Sequence, residues 1–301
     1  MSEKRFLPRG VYTALVTPFR DGELDKPAWE RLVARQVEAG VAGLVPVGCT
    51  GEAAALDRAE REWLVRACVS VARGRCAVVA GAGSNVTRTT IAQTRDAAAW
   101  GADAAMLISP YYNKPQQHGL IAHYGAVARE VDLPLVLYNV PGRTAVNILP
   151  ATVRALAAEP NVVAVKEASG NLEQIAEVCG IADLQVFSGD DGLNLDVYAL
   201  GGAGTVSVVS NLLPRTVVRT WDAWRAGEAT RARALAEAVR PVVEACFRET
   251  NPVPAKELLS LMGLCTHDLR LPLVPALPEN RVWLREVHAG PLGALLDGEG
   301  T

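Results

Sequence analysis

Eight short apolar runs, each separated from the next by an amphipathic stretch, constrain this chain more than any other feature. They lie at 11–17, 44–47, 76–80, 104–108, 134–138, 162–166, 184–187 and 205–209. Between them, segments such as 27–40 (PAWERLVARQVEAG), 56–74, 87–101 and 149–160 place apolar residues at helical spacing. The strand runs are mostly apolar instead of alternating, so both faces of each strand must be covered, as in a parallel sheet. Eight such units within 1–225 predict an α/β fold, a (β/α)8 TIM barrel. The alternative is a doubly wound open sheet, which usually carries a glycine-rich phosphate loop after its first strand. Here the first run ends Val16-Thr17-Pro18-Phe19.

Beyond residue 225 the strand signal stops. The stretch 226–248 is rich in Ala, Arg and Glu, 251–264 (NPVPAKELLSLMGL) reads as a helix entered through prolines, and a further helical pattern covers 278–287. The expected organisation is a barrel over 1–225 and a C-terminal helical appendage over 226–301.

Composition excludes several classes. Among 301 residues, 50% are hydrophobic and 21% charged, with a net charge of −3 and no basic block, which argues against a nucleic-acid partner. No apolar run approaches the roughly 20 residues of a membrane helix, and the N-terminus lacks the apolar core of a signal peptide. The six cysteines are scattered without zinc spacing. They suit a reducing, cytoplasmic setting.

In a barrel, chemistry collects at the C-terminal ends of the strands. Read in order, those ends offer many hydroxyls, one lysine, no histidine and no carboxylate pair on neighbouring strands that could hold a metal. Lys166 follows Val162-Val163-Ala164-Val165 directly, and strand alternation puts Lys166, Ala164 and Val162 on one face. If that face points inward, desolvation favours the neutral amine, which can attack a ketone and form a Schiff base. Otherwise the lysine reaches out to solvent from a strand end. Tyr138 ends the neighbouring strand, about 4.8 Å away. Alternation lets both side chains point inward, where a phenol can pass protons to and from a carbinolamine. The competing reading of Tyr138 is an aromatic plug with a satisfied hydroxyl.

Five motifs then carry a resemblance: GCTGE (48–52), SPYYNKP (109–115), LYNVPGRT (137–144), VAVKEASGN (163–171) and SGDD (188–191). In this order, over 10–276, the chain resembles the dihydrodipicolinate synthase family within the pyruvate-dependent class I aldolases and lyases. The resemblance implies that Lys166 forms the Schiff base with pyruvate and that Tyr138 donates and accepts protons. It implies that Thr50 holds the pyruvate carboxylate and that Val206 offers a backbone carbonyl near it. Tyr112 would join a proton relay in a neighbouring subunit's site, within a homodimer or homotetramer. It implies no metal and no organic cofactor. The activity implied is condensation of pyruvate with aspartate semialdehyde in lysine and diaminopimelate biosynthesis. Arg143 supports that choice, since a guanidinium can hold the semialdehyde's carboxylate bidentately. Related aldolases acting on 2-keto-3-deoxy acids or N-acetylneuraminate typically lack it. Those aldolases, and a pyruvate-binding barrel without turnover, are the alternatives.

Two departures from the family stand out. Cys49 occupies a position where the synthases usually have a threonine that links two tyrosines of the relay. A thiol is a weak donor and acceptor, and the expectation is that Cys49 still serves the relay. Where lysine-inhibited members bring histidines and a glutamate, this chain has Arg58, Arg61 and Thr89. Two cations without an acid predict weak or absent inhibition by lysine.

Overall fold

The computed structural model describes residues 4–296 and Glu299. Eight parallel strands close into a barrel: β1 (Gly10–Ala14), β2 (Gly43–Val45), β3 (Ala77–Gly81), β4 (Ala104–Ile108), β5 (Leu135–Asn139), β6 (Val162–Glu167), β7 (Gln185–Ser188) and β8 (Gly204–Ser207). Each strand pairs with its sequence neighbours, and β8 pairs back onto β1. The fold is the expected (β/α)8 barrel. One element escaped the sequence reading, a two-stranded hairpin of Phe19–Arg20 with Glu23–Leu24. It is too short to show a period of its own.

Local chemistry starts the helices where the periodicity placed them. Helix α1 (Lys26–Glu38) begins at Asp25, whose carboxylate accepts the Ala28 N–H at 3.0 Å. Helix α2 (Arg58–Ala72) begins with a capping box, in which Asp57 and Glu60 each accept the other's backbone N–H.

The core has two layers. Inside the barrel lie Tyr12, Val45, Val79, Met106, Val136, Ala164, Phe187 and Val206. Outside it, one continuous cluster joins the strands' outer faces to the helices. A bulge between β5 and β6 corrects one detail of the strand alternation. Leu135 pairs with Val162 but Val136 pairs with Ala164, so two residues oppose one. Val162 therefore packs in the outer layer and Val163 faces inward beside Ala164. From Ala164 to Lys166 the alternation holds, and the lysine still faces the barrel interior.

After the last barrel helix, Pro214–Arg225, come the helices Ala229–Cys246, Val253–Leu261 and Pro278–Val287. Their apolar residues, among them Val242, Leu258, Leu259 and Leu284, belong to the same outer core as the barrel. Glu299 returns to the start of Pro214–Arg225, where it accepts the N–H groups of Arg215 and Thr216 at 2.8 and 2.7 Å. No helix among the described residues is long and apolar enough to cross a membrane.

Candidate active site

Three residues in register set the centre of the barrel mouth. Lys166 on β6 pairs with Tyr138 on β5 and with Phe187 on β7. All three are at least 95% buried, with Lys166 and Tyr138 5% exposed and Phe187 1%. The Lys166 ammonium sits 4.2 Å from the centre of the Tyr138 ring. Gly189 leaves room for the lysine stem, since a Cβ there would come within 3.0 Å of Lys166 Cε and 2.7 Å of Ala168 Cβ.

Burial governs the electrostatics. It pushes the Lys166 ammonium down to about 8, against smaller opposing pulls from Cys49 and Asp191, while Arg143 pushes the same way as burial. Around neutral pH a usable fraction of the amine is therefore unprotonated and nucleophilic. Burial, helped by the Cys49 thiol and opposed by Arg143, holds the Tyr138 phenol above its ordinary range. The phenol is thus neutral near neutral pH, with a proton it can donate. Cys49 lies close enough to act on both groups, and it lines the cavity, but no hydrogen bond to its thiol occurs among the described residues.

Above this centre opens a cavity of about 630 Å³, bordered by Gly48, Cys49, Met106, Tyr138, Arg143 and Asn251 among others. Arg143 stands on the short helix Pro141–Thr144, and one guanidinium nitrogen donates to the Asn251 carbonyl at 2.9 Å. The rest of its fork is left for another acceptor.

Thr50 is 4% exposed and lies in the turn after β2. The Asn251 side-chain amide donates to its Oγ1 at 2.9 Å, which leaves the hydroxyl's own proton to donate elsewhere. Val206 faces inward near Tyr12, its register partner. Tyr112 stands apart: it is 87% exposed, has φ of 71° and borders no part of this chain's cavity.

The structure also brings in residues that the sequence reading passed over. Asp191 accepts the N–H groups of Val208 and Val209 at 2.8 and 3.1 Å and so fastens the turn that follows Val206. Asn251 comes from the appendage, 201 positions from the threonine it touches. Nothing local could have placed it there, although it heads the proline-marked NPVPAKE stretch.

One expectation changes in detail. Arg58 is not a free cation, because its guanidinium pairs with Asp96 at 2.7 Å. Arg61 remains at the cavity wall, donating to the Gly81 carbonyl at 2.8 Å. Among the described residues no cluster of three or more His, Cys, Asp or Glu is arranged to hold a metal ion.

A buried lysine with a weakened hold on its proton, flanked by a phenol at the C-terminal mouth of a TIM barrel, is the layout of a Schiff-base-forming barrel lyase. The sequence model of the dihydrodipicolinate synthetase family matches residues 7–288. The chain belongs to that family. It is 47% identical over 283 residues to the 4-hydroxy-tetrahydrodipicolinate synthase of Nitratidesulfovibrio vulgaris (strain Miyazaki F), covering 93% of this chain and 97% of that protein. The crystal structure of Thermotoga maritima dihydrodipicolinate synthase superposes with a TM-score of 0.93 at 41% identity, covering 95% of this chain and 99% of that one. A structure of the Cyanidioschyzon merolae enzyme with lysine bound matches with a TM-score of 0.92 at 39% identity, over 96% of this chain and 99% of that one.

Proposed function

We propose that this chain condenses pyruvate with L-aspartate 4-semialdehyde to give 4-hydroxy-tetrahydrodipicolinate. The observation that carries the reading is Lys166, buried beside Tyr138 with its ammonium pushed down to about 8. The neutral amine adds to the pyruvate carbonyl, Tyr138 passes the protons of the carbinolamine, and water leaves to form the imine. Loss of a methyl proton gives the enamine, which adds to the semialdehyde carbonyl. The semialdehyde's own amine then displaces Lys166 and closes the ring.

Thr50 is assigned to the pyruvate carboxylate, the Val206 carbonyl to the pyruvyl group and Arg143 to the semialdehyde carboxylate. Tyr112 and Cys49 are assigned to the proton relay, with Tyr112 acting across an interface to a second copy. The exposure of Tyr112 supports that assignment, since it does not border the cavity beside Lys166 and Tyr138 and is free to meet a second copy. The active form is accordingly a homodimer or homotetramer, and the setting is cytoplasmic. The barrel is read as 1–225 and the appendage as 226–301. Inhibition by lysine is read as weak or absent, now on Arg61 alone.

Borohydride trapping with pyruvate, followed by mass mapping, tests the chemistry. An adduct on Lys166 is expected, and no adduct anywhere sinks the reading. A coupled assay with aspartate semialdehyde, run beside 2-keto-3-deoxy acids and N-acetylneuraminate, then separates the synthase from the aldolases. Arg143 favours the synthase.

A further inference from the structure

The turn that carries Thr50 is strained at both ends. It is bracketed by two non-glycine residues in the left-handed region, Val47 with φ of 51° and Glu52 with φ of 53°. For a β-branched valine this is a strained conformation that the surroundings must enforce. Within the turn, the N–H groups of Gly51 and Ala53 donate to the Gly48 carbonyl at 3.1 and 3.3 Å and that of Glu52 to the Cys49 carbonyl at 3.1 Å. From the barrel, Thr17 Oγ1 donates to the Gly51 carbonyl at 2.7 Å and Gly81 N–H to the Pro46 carbonyl at 3.0 Å.

The side chain of Glu52, at the end of the turn, is held from the appendage. Lys256 on the helix Val253–Leu261 is wholly buried, and its ammonium donates to Glu52 Oε1 at 2.7 Å. The Arg270 N–H donates to Glu52 Oε2 at 3.0 Å. The Phe19 ring of the small hairpin faces the Lys256 ammonium, 4.5 Å from its centre. Both carboxylate oxygens of Glu52 are therefore engaged by residues from beyond position 250. Just ahead of that helix, five residues before Lys256, Asn251 donates to Thr50 itself.

A fully buried ion pair is a poor device for stability alone, because desolvating both charges offsets much of their attraction, and apolar replacements often do as well. What such a pair does well is fix a register. The geometry points to a positioning role for Glu52 and Lys256. Their ion pair, with the Asn251 bond beside it, clamps the strained turn so that the Thr50 hydroxyl and neighbouring amides meet the carboxylate of the 2-oxo acid. Glu52 borders the cavity, but both its carboxylate oxygens are taken by the appendage, so the pair acts on the substrate through Thr50. The inference rests on the proposed function, in which Thr50 binds that carboxylate.

The test uses the full-length protein and Glu52→Gln/Lys256→Met, which removes both charges together and keeps an oxygen for the Arg270 N–H. The variant is expected to fold, with KM for pyruvate raised about tenfold, roughly the worth of one well-placed hydrogen bond to a charged group. Turnover at saturating pyruvate stays within about threefold, since Lys166 and Tyr138 are untouched. The pyruvate concentration giving half-maximal borohydride trapping on Lys166 rises by the same factor as KM. A folded variant with unchanged KM and unchanged trapping overturns the positioning role while leaving the Schiff-base reading intact. Absence of trapping in the unaltered protein overturns both. Should the double variant not fold, Glu52→Asp keeps the charge but shortens its reach. A raised KM with turnover preserved again supports the clamp, and an unchanged KM overturns it.

Discussion

At the base of the barrel, Tyr12 and Phe187 meet edge to face with ring centres 5.0 Å apart. Leu7, Val136 and Val206 close around them and leave a void of only about 10 Å³. At the mouth, β3, β4 and β5 border a cavity of about 630 Å³ lined by a thiol, a phenol and guanidinium groups. The two ends differ in solvation, and the difference is functional. Lys166 lies between the two, in register with Phe187 of β7, which borders the small void, and with Tyr138 of β5, which borders the large cavity. The closed base keeps water from the lysine on one side, so burial weakens the ammonium. The open mouth brings a carbonyl substrate to the other side.

The largest expected effect comes from removing the residue at that boundary. Lys166→Met should drop turnover below about one thousandth and abolish pyruvate trapping. The same change should stabilise the fold by about 3 kcal/mol at pH 7, since the lysine falls from 10.5 to about 8 on folding. Between those values the unfolded chain holds more protons on this lysine than the folded one does, so the cost of burying Lys166 shrinks as pH rises from about 8 towards 10.5. The stability advantage of Lys166→Met over its parent should therefore narrow across this range, as paired thermal melts would show, since all other titrating groups are common to both proteins. A variant no more stable than its parent would mean that the mouth solvates Lys166 well.

Tyr138→Phe keeps the ring against the ammonium and removes the proton carrier. Turnover should fall by about 10² to 10⁴, while near-parental melting shows that the packing survives. Phe187→Ala attacks the boundary from below. A cost of about 3–5 kcal/mol in unfolding free energy is expected. In the folded fraction, water admitted beneath Lys166 should raise its pKa, moving the alkaline rise in kcat/KM for pyruvate above about 8. An unmoved profile would show that the base plays no part in tuning the lysine.

The smallest effect belongs to Cys49→Thr, which changes one group at the mouth and nothing at the base. A hydroxyl donates and accepts better than a thiol, so turnover should be kept or rise by about threefold. Steady-state kinetics that showed activity abolished in a folded Cys49→Thr variant would end the view that Cys49 stands in for a relay hydroxyl.

Much of this design is written in local periodicity. The apolar runs identify eight strands because a strand covered on both faces must be apolar throughout, and the single lysine ending such a run marks the site. Tyr138 and Lys166 could be paired from sequence because side chains alternate with a fixed period and neighbouring strands lie side by side. The same alternation misplaced Val162, because a bulge between β5 and β6 inserts one residue with no signal in the side chains around it.

What only the tertiary structure decided lies in contacts that no local pattern encodes. Asn251 reaches Thr50 across 201 positions, and Lys256 reaches Glu52 across 204. In sequence, Lys256 is one polar residue in an amphipathic helix and Glu52 one acid after a glycine. Only the packing of the appendage on the barrel buries both, and burial turns two ordinary charges into a clamp. Sequence alone set the strands and the candidate nucleophile, since both follow from interactions between near neighbours. Closure of the barrel and docking of its appendage decided how dry the lysine is and how firmly Thr50 is held, since solvation belongs to the assembled core.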